Sequence, residues 1–204
     1  LIMALFNFTV SMFASILLPF YLQDYRAFGP GIAGMFMMCY PLSMLIFSPI
    51  AGIIADKIDK ELVTFIGISG IVISQIGYLM IHQTTPSWWI VLVLLIQGGS
   101  VGIFQSPNNA LIMETVDRKY LGIAGSVNSL ARNVAFVLGT SLATIILFFS
   151  MSKMTGQKVT SYLPDQPEIF LNGMHVAFIF ALCFTLITWI LALSRLLGRK
   201  KIQA

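Results

Sequence analysis

The sequence predicts an all-α membrane protein of six transmembrane helices, and three observations carry that prediction. Of 204 residues, 57% are hydrophobic and 10% are charged, where a soluble domain holds roughly 25% charge. The apolar residues gather in runs longer than the ~18 that a helical span requires, not in alternating segments of about ten as in a barrel. The charges fall between these runs, so the net charge of +4 reflects bases at segment ends and not a nucleic-acid surface.

The first predicted span, 2–22, sets Asn7, Ser11 and Ser15 on an apolar background. Pro19 is expected to kink its last turn, and Phe20 and Tyr21 suit the interfacial belt. Gly29-Pro30 breaks the chain before the second span, 31–55, which carries four Met (Met35, Met37, Met38, Met44) and Pro41. The stretch 51–61 then packs five charges, Asp56, Lys57, Asp59, Lys60 and Glu61, into a predicted six-residue turn. Such a turn cannot lie in hydrocarbon, so it marks one membrane face and fixes the register of the helices on both sides.

The third span, 62–81, has Gly67, Gly70 and Gly77, which permit close helix contact. A polar turn, 82–87, leads to Trp88-Trp89 at the opposite interface. The fourth span, 88–113, holds Gly98, Gly99 and Gly102, then Gln105, Pro107, Asn108 and Asn109. After the charged link 114–120, the fifth span, 121–150, is longer than a crossing needs, so its first turns are expected in or beyond the interface. A polar loop, 151–171, precedes the sixth span, 172–196, and the basic tail Arg199-Lys200-Lys201.

Six spans place both chain ends on one side. That side holds Lys57, Lys60, Arg118, Lys119, Arg195, Arg199, Lys200 and Lys201, against Arg26, Lys153 and Lys158 on the other. The positive-inside rule makes the first side cytoplasmic and the loop 151–171 external, in a plasma membrane. The chain opens at Leu1 inside an apolar run with no charged flank, and reads as a fragment of a longer protein. Cys39 and Cys183 read as packing residues, not a metal or disulfide pair. Two His, no Gly-rich phosphate loop and no metal spacing leave an enzyme no catalytic constellation.

Several stretches in order carry a family resemblance. Gly52-Ile-Ile-Ala-Asp56-Lys57-Ile-Asp59-Lys60 resembles the cytoplasmic motif Gly-x-x-x-Asp-Arg/Lys-x-Gly-Arg/Lys of the major facilitator superfamily, departing from it at Asp59 and Glu61. The close of the first span (Pro19-Phe20-Tyr21-Leu-Gln23), the run from Pro107-Asn108-Asn109 through Gly125-Ser-Val-Asn128 to Arg132, and Gly173-Met-His175 are similar to its fourteen-helix drug:proton antiporters. The resemblance covers essentially the whole chain. It implies helices seven to twelve of that fold, built as two inverted three-helix repeats, with substrate bound near the midplane. It further implies a lipid bilayer around the chain, an N-terminal six- or eight-helix half as partner, a small lipophilic or cationic substrate, and a proton gradient instead of a cofactor.

The candidate site residues each carry two readings. Gly52, Asp56, Lys57 and Lys60 form either a latch that holds one access state or a solvated turn. Asp56 would neutralise a helix N-terminus, and Lys57 and Lys60 would face lipid phosphates. Arg132 stands inside a span, where a charge costs about 2.5–3.5 kcal/mol on insertion scales. It is expected to form a structural ion pair with Glu114, with direct substrate or proton contact as the alternative. No Asp or Glu lies deep in a predicted span, so the proton-coupling carboxylate is expected outside this chain, and His175 reads as an interfacial hydrogen-bonder.

Asn7, Gln97, Gln105, Asn108, Asn109, Asn128 and Asn133 should face other helices or a cavity, since facing lipid is costly. By resemblance the first and fourth spans line the cavity, which makes Phe6, Asn7, Gln97 and Phe104 the substrate-side candidates. The expected function is export of drugs or amphipathic molecules in exchange for protons. A metabolite uniporter or symporter half is the alternative within transport, and a non-transporting membrane scaffold the alternative outside it.

Overall fold

The computed structural model describes residues 2–164 and 166–200, with side chains through Gly198 in the last helix. Lys201 and the side chains of Arg199 and Lys200, part of the basic tail, lie outside the described residues. The helices are α1 (Ile2–Phe20), α2 (Pro30–Lys57), α3 (Lys60–Leu79), α4 (Ser87–Glu114), α5 (Leu121–Thr155) and α6 (Pro167–Lys200). All six are long and apolar enough to cross a membrane, and no strand occurs among the described residues.

Pro19 does not end its helix. The chain runs on through a π-helical turn, Tyr21–Tyr25, in which the Arg26 N–H donates to the Tyr21 carbonyl at 2.9 Å. The predicted six-residue turn at 56–61 is also shorter than expected. The helices run to Lys57 and resume at Lys60, leaving Ile58 and Asp59 between them. Asp59 explains the restart, because its Oδ1 accepts the Glu61 N–H at 2.9 Å as an N-cap. Lys57 places a cation in the last turn of α2, which suits the helix dipole. At the other end of the bundle α6 begins at Pro167 instead of 172, since proline is preset for a first helical turn.

Packing crosses the sequence order. α2 packs chiefly on α4 and hardly on α1 or α3, while α5 packs on α1 and α6, and α3 bridges α4 to α6. Glycine makes these seams. A Cβ on Gly98 would run into the Tyr40 carbonyl of α2, and one on Gly139 into the Thr9 carbonyl of α1. A Cβ on Gly67 would sit 2.6 Å from the Phe104 amide nitrogen. The larger apolar core lies toward the end holding the 80–86 and 156–166 loops, around Phe13, Leu17, Tyr21, Tyr78, Phe170 and Phe178. A smaller one, with Met3, Phe8, Ile68 and Phe104, lies toward the end holding Asp59, the knot end. Only 11% of the apolar window of α2 is buried, against 61% in α1, so α2 is the peripheral helix.

Candidate functional site

At the knot end, charge ties three helix ends together. Lys60 at the start of α3 pairs with Glu114 at the end of α4. Glu61 pairs with Arg195 of α6 at 3.0 Å, and Arg195 also reaches the Met3 sulfur at 3.8 Å. The expected Glu114–Arg132 pair is therefore corrected. Arg132 lies eleven residues into α5, about 16 Å along it, with its guanidinium 5.7 Å from the Phe8 ring centre. Glu114 meets Lys60 instead, and Lys60 is committed to a carboxylate and not to lipid phosphate. Glu61, read from sequence as solvated, is half-buried and paired. No local pattern could have revealed this, because its partner is 134 positions away. Asp56 and Lys57 are exposed, and neither makes an ion pair among the described residues. Gly52 does allow close approach: a Cβ there would lie 3.1 Å from the Ser106 hydroxyl of α4.

The Lys60–Glu114 pair is partly exposed, so its contribution should be small. Lys60→Glu or Glu114→Lys alone is expected to cost about 1 kcal/mol, and the double reversal to regain most of it. A thermal-unfolding cycle on the three variants checks this.

The structure does not bring the four substrate-side candidates together. The Phe6 ring turns to Phe184 of α6, 5.5 Å away. Phe104 is fully buried against α3. Gln97 is fully buried too, and its Oε1 accepts the Tyr78 hydroxyl of α3 while Nε2 has no partner among the described residues. Asn7 is buried, with Oδ1 likewise unpartnered. The glycine seam turns this face of α4 onto α3, which directs Gln97 and Phe104 into a helix contact and away from a cavity. Gln75, fully buried in α3 with neither amide atom partnered, is not singled out by sequence reasoning. Tyr78→Phe removes the acceptor's only partner among these residues, and should destabilise the protein by about 1–3 kcal/mol, read from the thermal midpoint.

The two ends of the bundle differ. At the loop end, the Tyr21 hydroxyl donates to the His82 carbonyl at 3.0 Å, Arg26 to the Thr85 carbonyl at 2.7 Å, and His175 Nε2 lies 2.7 Å from the Ile81 carbonyl. Burial pushes the Tyr162 phenol up, and the Asp24 carboxylate adds to it; the Tyr162 ring packs on Phe170, which stacks on Tyr25. At the knot end a groove of about 460 Å³ separates α4 from α5, lined by Asn108, Leu111, Thr115, Tyr120, Val127 and Arg195 among others. Beside its deep end Asn128 Nδ2 donates to Asn109 Oδ1 at 3.1 Å.

The Major Facilitator Superfamily profile matches residues 1–140. The chain belongs to the major facilitator superfamily. Membership makes it a multi-pass membrane chain of a transporter family, and not an enzyme. This superfamily chain is 34% identical over 151 residues to the riboflavin transporter RibZ of Clostridioides difficile, covering 74% of its own length and 33% of the relative's. It is 25% identical over 141 residues to the uncharacterized transporter YebQ of Escherichia coli, covering 69% and 31%. To a tetracycline resistance determinant of Streptomyces rimosus it is 23% identical over 146 residues, covering 70% and 42%. The chain thus spans about a third of the length of the first two relatives.

Proposed function

We propose that the chain forms the second six-helix half of a secondary transporter that exports amphipathic small molecules in exchange for protons, by alternating access. The observation that carries this reading is the asymmetry of the bundle. Backbone-directed hydrogen bonds from Tyr21 and Arg26 close the loop end, and an apolar groove with a few polar groups opens the knot end between α4 and α5. Such a cleft has the character of a small-molecule site. The knot end is cytoplasmic in a plasma membrane by its excess of Lys and Arg, so the groove opens to the cytoplasm. The stretches Pro19–Gln23, Pro107–Arg132 and Gly173–His175 resemble the fourteen-helix antiporters.

The names of two relatives add a chemical hint, since riboflavin and tetracycline are both amphipathic fused-ring molecules. No described span contains an Asp or Glu near its middle, so the group that carries the proton belongs to the partner half. The test uses the full-length protein in proteoliposomes holding a pH gradient. Adding tetracycline or riboflavin should dissipate the gradient as the molecule accumulates. Accumulation without dissipation would favour a uniporter, and no flux with either molecule would favour a scaffold.

A further inference from the structure

Arg132 is a cation inside the bundle with no carboxylate beside it. Ala135, Gly139, Ala143 and Leu147 follow it at helical spacing, and all are buried. Gly139 lies against the Thr9 carbonyl, so this face of α5 is the one packed on α1. Arg132 therefore points into the bundle and not to lipid. Its guanidinium lies over the Phe8 ring, and that ring meets Phe136 edge-on at 5.7 Å. Of the acidic groups at that end, Glu61 and Glu114 are held by Arg195 and Lys60, and Asp56, Asp59 and Asp117 are exposed in or beside the links between helices. A cation–π contact offsets part of the cost of a cation in a span, but pairing with an anion offsets more.

An amide near it is also incompletely satisfied. Asn128, one turn from Arg132 on the same face, has a buried Oδ1 without a partner among the described residues. A guanidinium asks for a carboxylate, since its planar fork matches both oxygens. The Asn128 oxygen asks for a hydroxyl or N–H donor. The groove between α4 and α5 is lined by Asn108 and Val127, each one residue along its helix from the Asn109–Asn128 hydrogen bond.

We propose that Arg132, with Asn128, binds the carboxylate and an adjoining donor of an amphipathic organic acid, whose apolar ring packs toward Phe8. This rests on the transport reading and adds organic acids to the amphipaths the chain takes.

The test measures equilibrium binding of 1-pyrenebutyrate and its uncharged methyl ester to the full-length protein in phosphatidylcholine nanodiscs, by pyrene fluorescence. R132Q should weaken pyrenebutyrate binding about tenfold or more, as loss of a charged hydrogen-bond pair does, and leave the ester within about twofold. R132K should keep part of the preference for the acid. Asn128→Ala should leave both ligands within about twofold, because neither carries a donor for the Asn128 oxygen, and Arg132→Met carries the test if R132Q does not fold. Equal losses for acid and ester would overturn the proposal. So would an unchanged acid preference in R132Q with a lowered melting temperature, which would assign the site to an acidic side chain from elsewhere in the protein. The measurement needs no gradient or flux, so it can fail while proton-coupled export holds, and the reverse.

Discussion

Gly98→Leu should prevent the six-helix bundle from forming, and the milder Gly98→Ala should cost about 1–3 kcal/mol, as overpacking a tight contact does. The obstacle to a Cβ at this position is the Tyr40 carbonyl. Backbone cannot rotate aside as the end of a side chain can. The same seam continues at Gly102, where a Cβ would lie 3.0 Å from the Met44 carbonyl. α2 has almost no other anchor, since it packs chiefly on α4, so parting these two helices releases it. Gly34→Ala is the control, because nothing lies within 4 Å of a Cβ there. Thermal unfolding and size-exclusion profiles of the full-length protein in detergent read the result. An unchanged midpoint in Gly98→Ala would mean that the α2–α4 contact is looser than the structure shows.

Asp56→Asn is expected to reduce transport about tenfold or more, an energetic effect of at least 1.4 kcal/mol on the moving step, with insertion and expression unchanged. Asp56 is exposed in the last turn of α2, and no ion pair among the described residues uses it. Its loss should therefore leave this bundle's stability alone. A latch role requires a partner outside the described residues, reached in one access state and released in the other. Lys60 behaves oppositely, because its carboxylate is within this chain and its reversal should be read in stability. Wild-type flux in Asp56→Asn would make Asp56 a solvated surface charge and sink the latch.

The positions of the six helices were legible in the sequence, and their rotations were not. A span needs only length and apolarity, which hydropathy reports directly. Inside a membrane the lipid-facing and core-facing sides are both apolar, so the amphipathic stripe that orients a soluble helix is missing. The first four helices show this plainly: each has a hydropathy of 1.8, yet their buried share runs from 61% to 11%. Gln97 and Phe104 therefore pack onto α3, which hydropathy alone does not reveal. The ion pairs failed for a different reason. Glu114 and Arg132 are close in sequence and on one predicted side, but charge pairing follows the packing of α3 on α4 and α6. Nothing in a single chain of letters links Glu61 to Arg195. Gly52 and Gly98 were readable as sites of close approach, and what each approaches was not.

The link Ile58–Asp59 has a mechanical consequence. α2 has 28 residues, about 42 Å of helix, and at the knot end two residues join it to α3. It is a strut on a short pivot. A tilt of about 10° there would carry its far tip through about 7 Å, given a helix rise of 1.5 Å per residue. Any load applied to the exposed apolar flank of α2 arrives as torque at Asp59, and from there at the Lys60–Glu114 and Glu61–Arg195 ties.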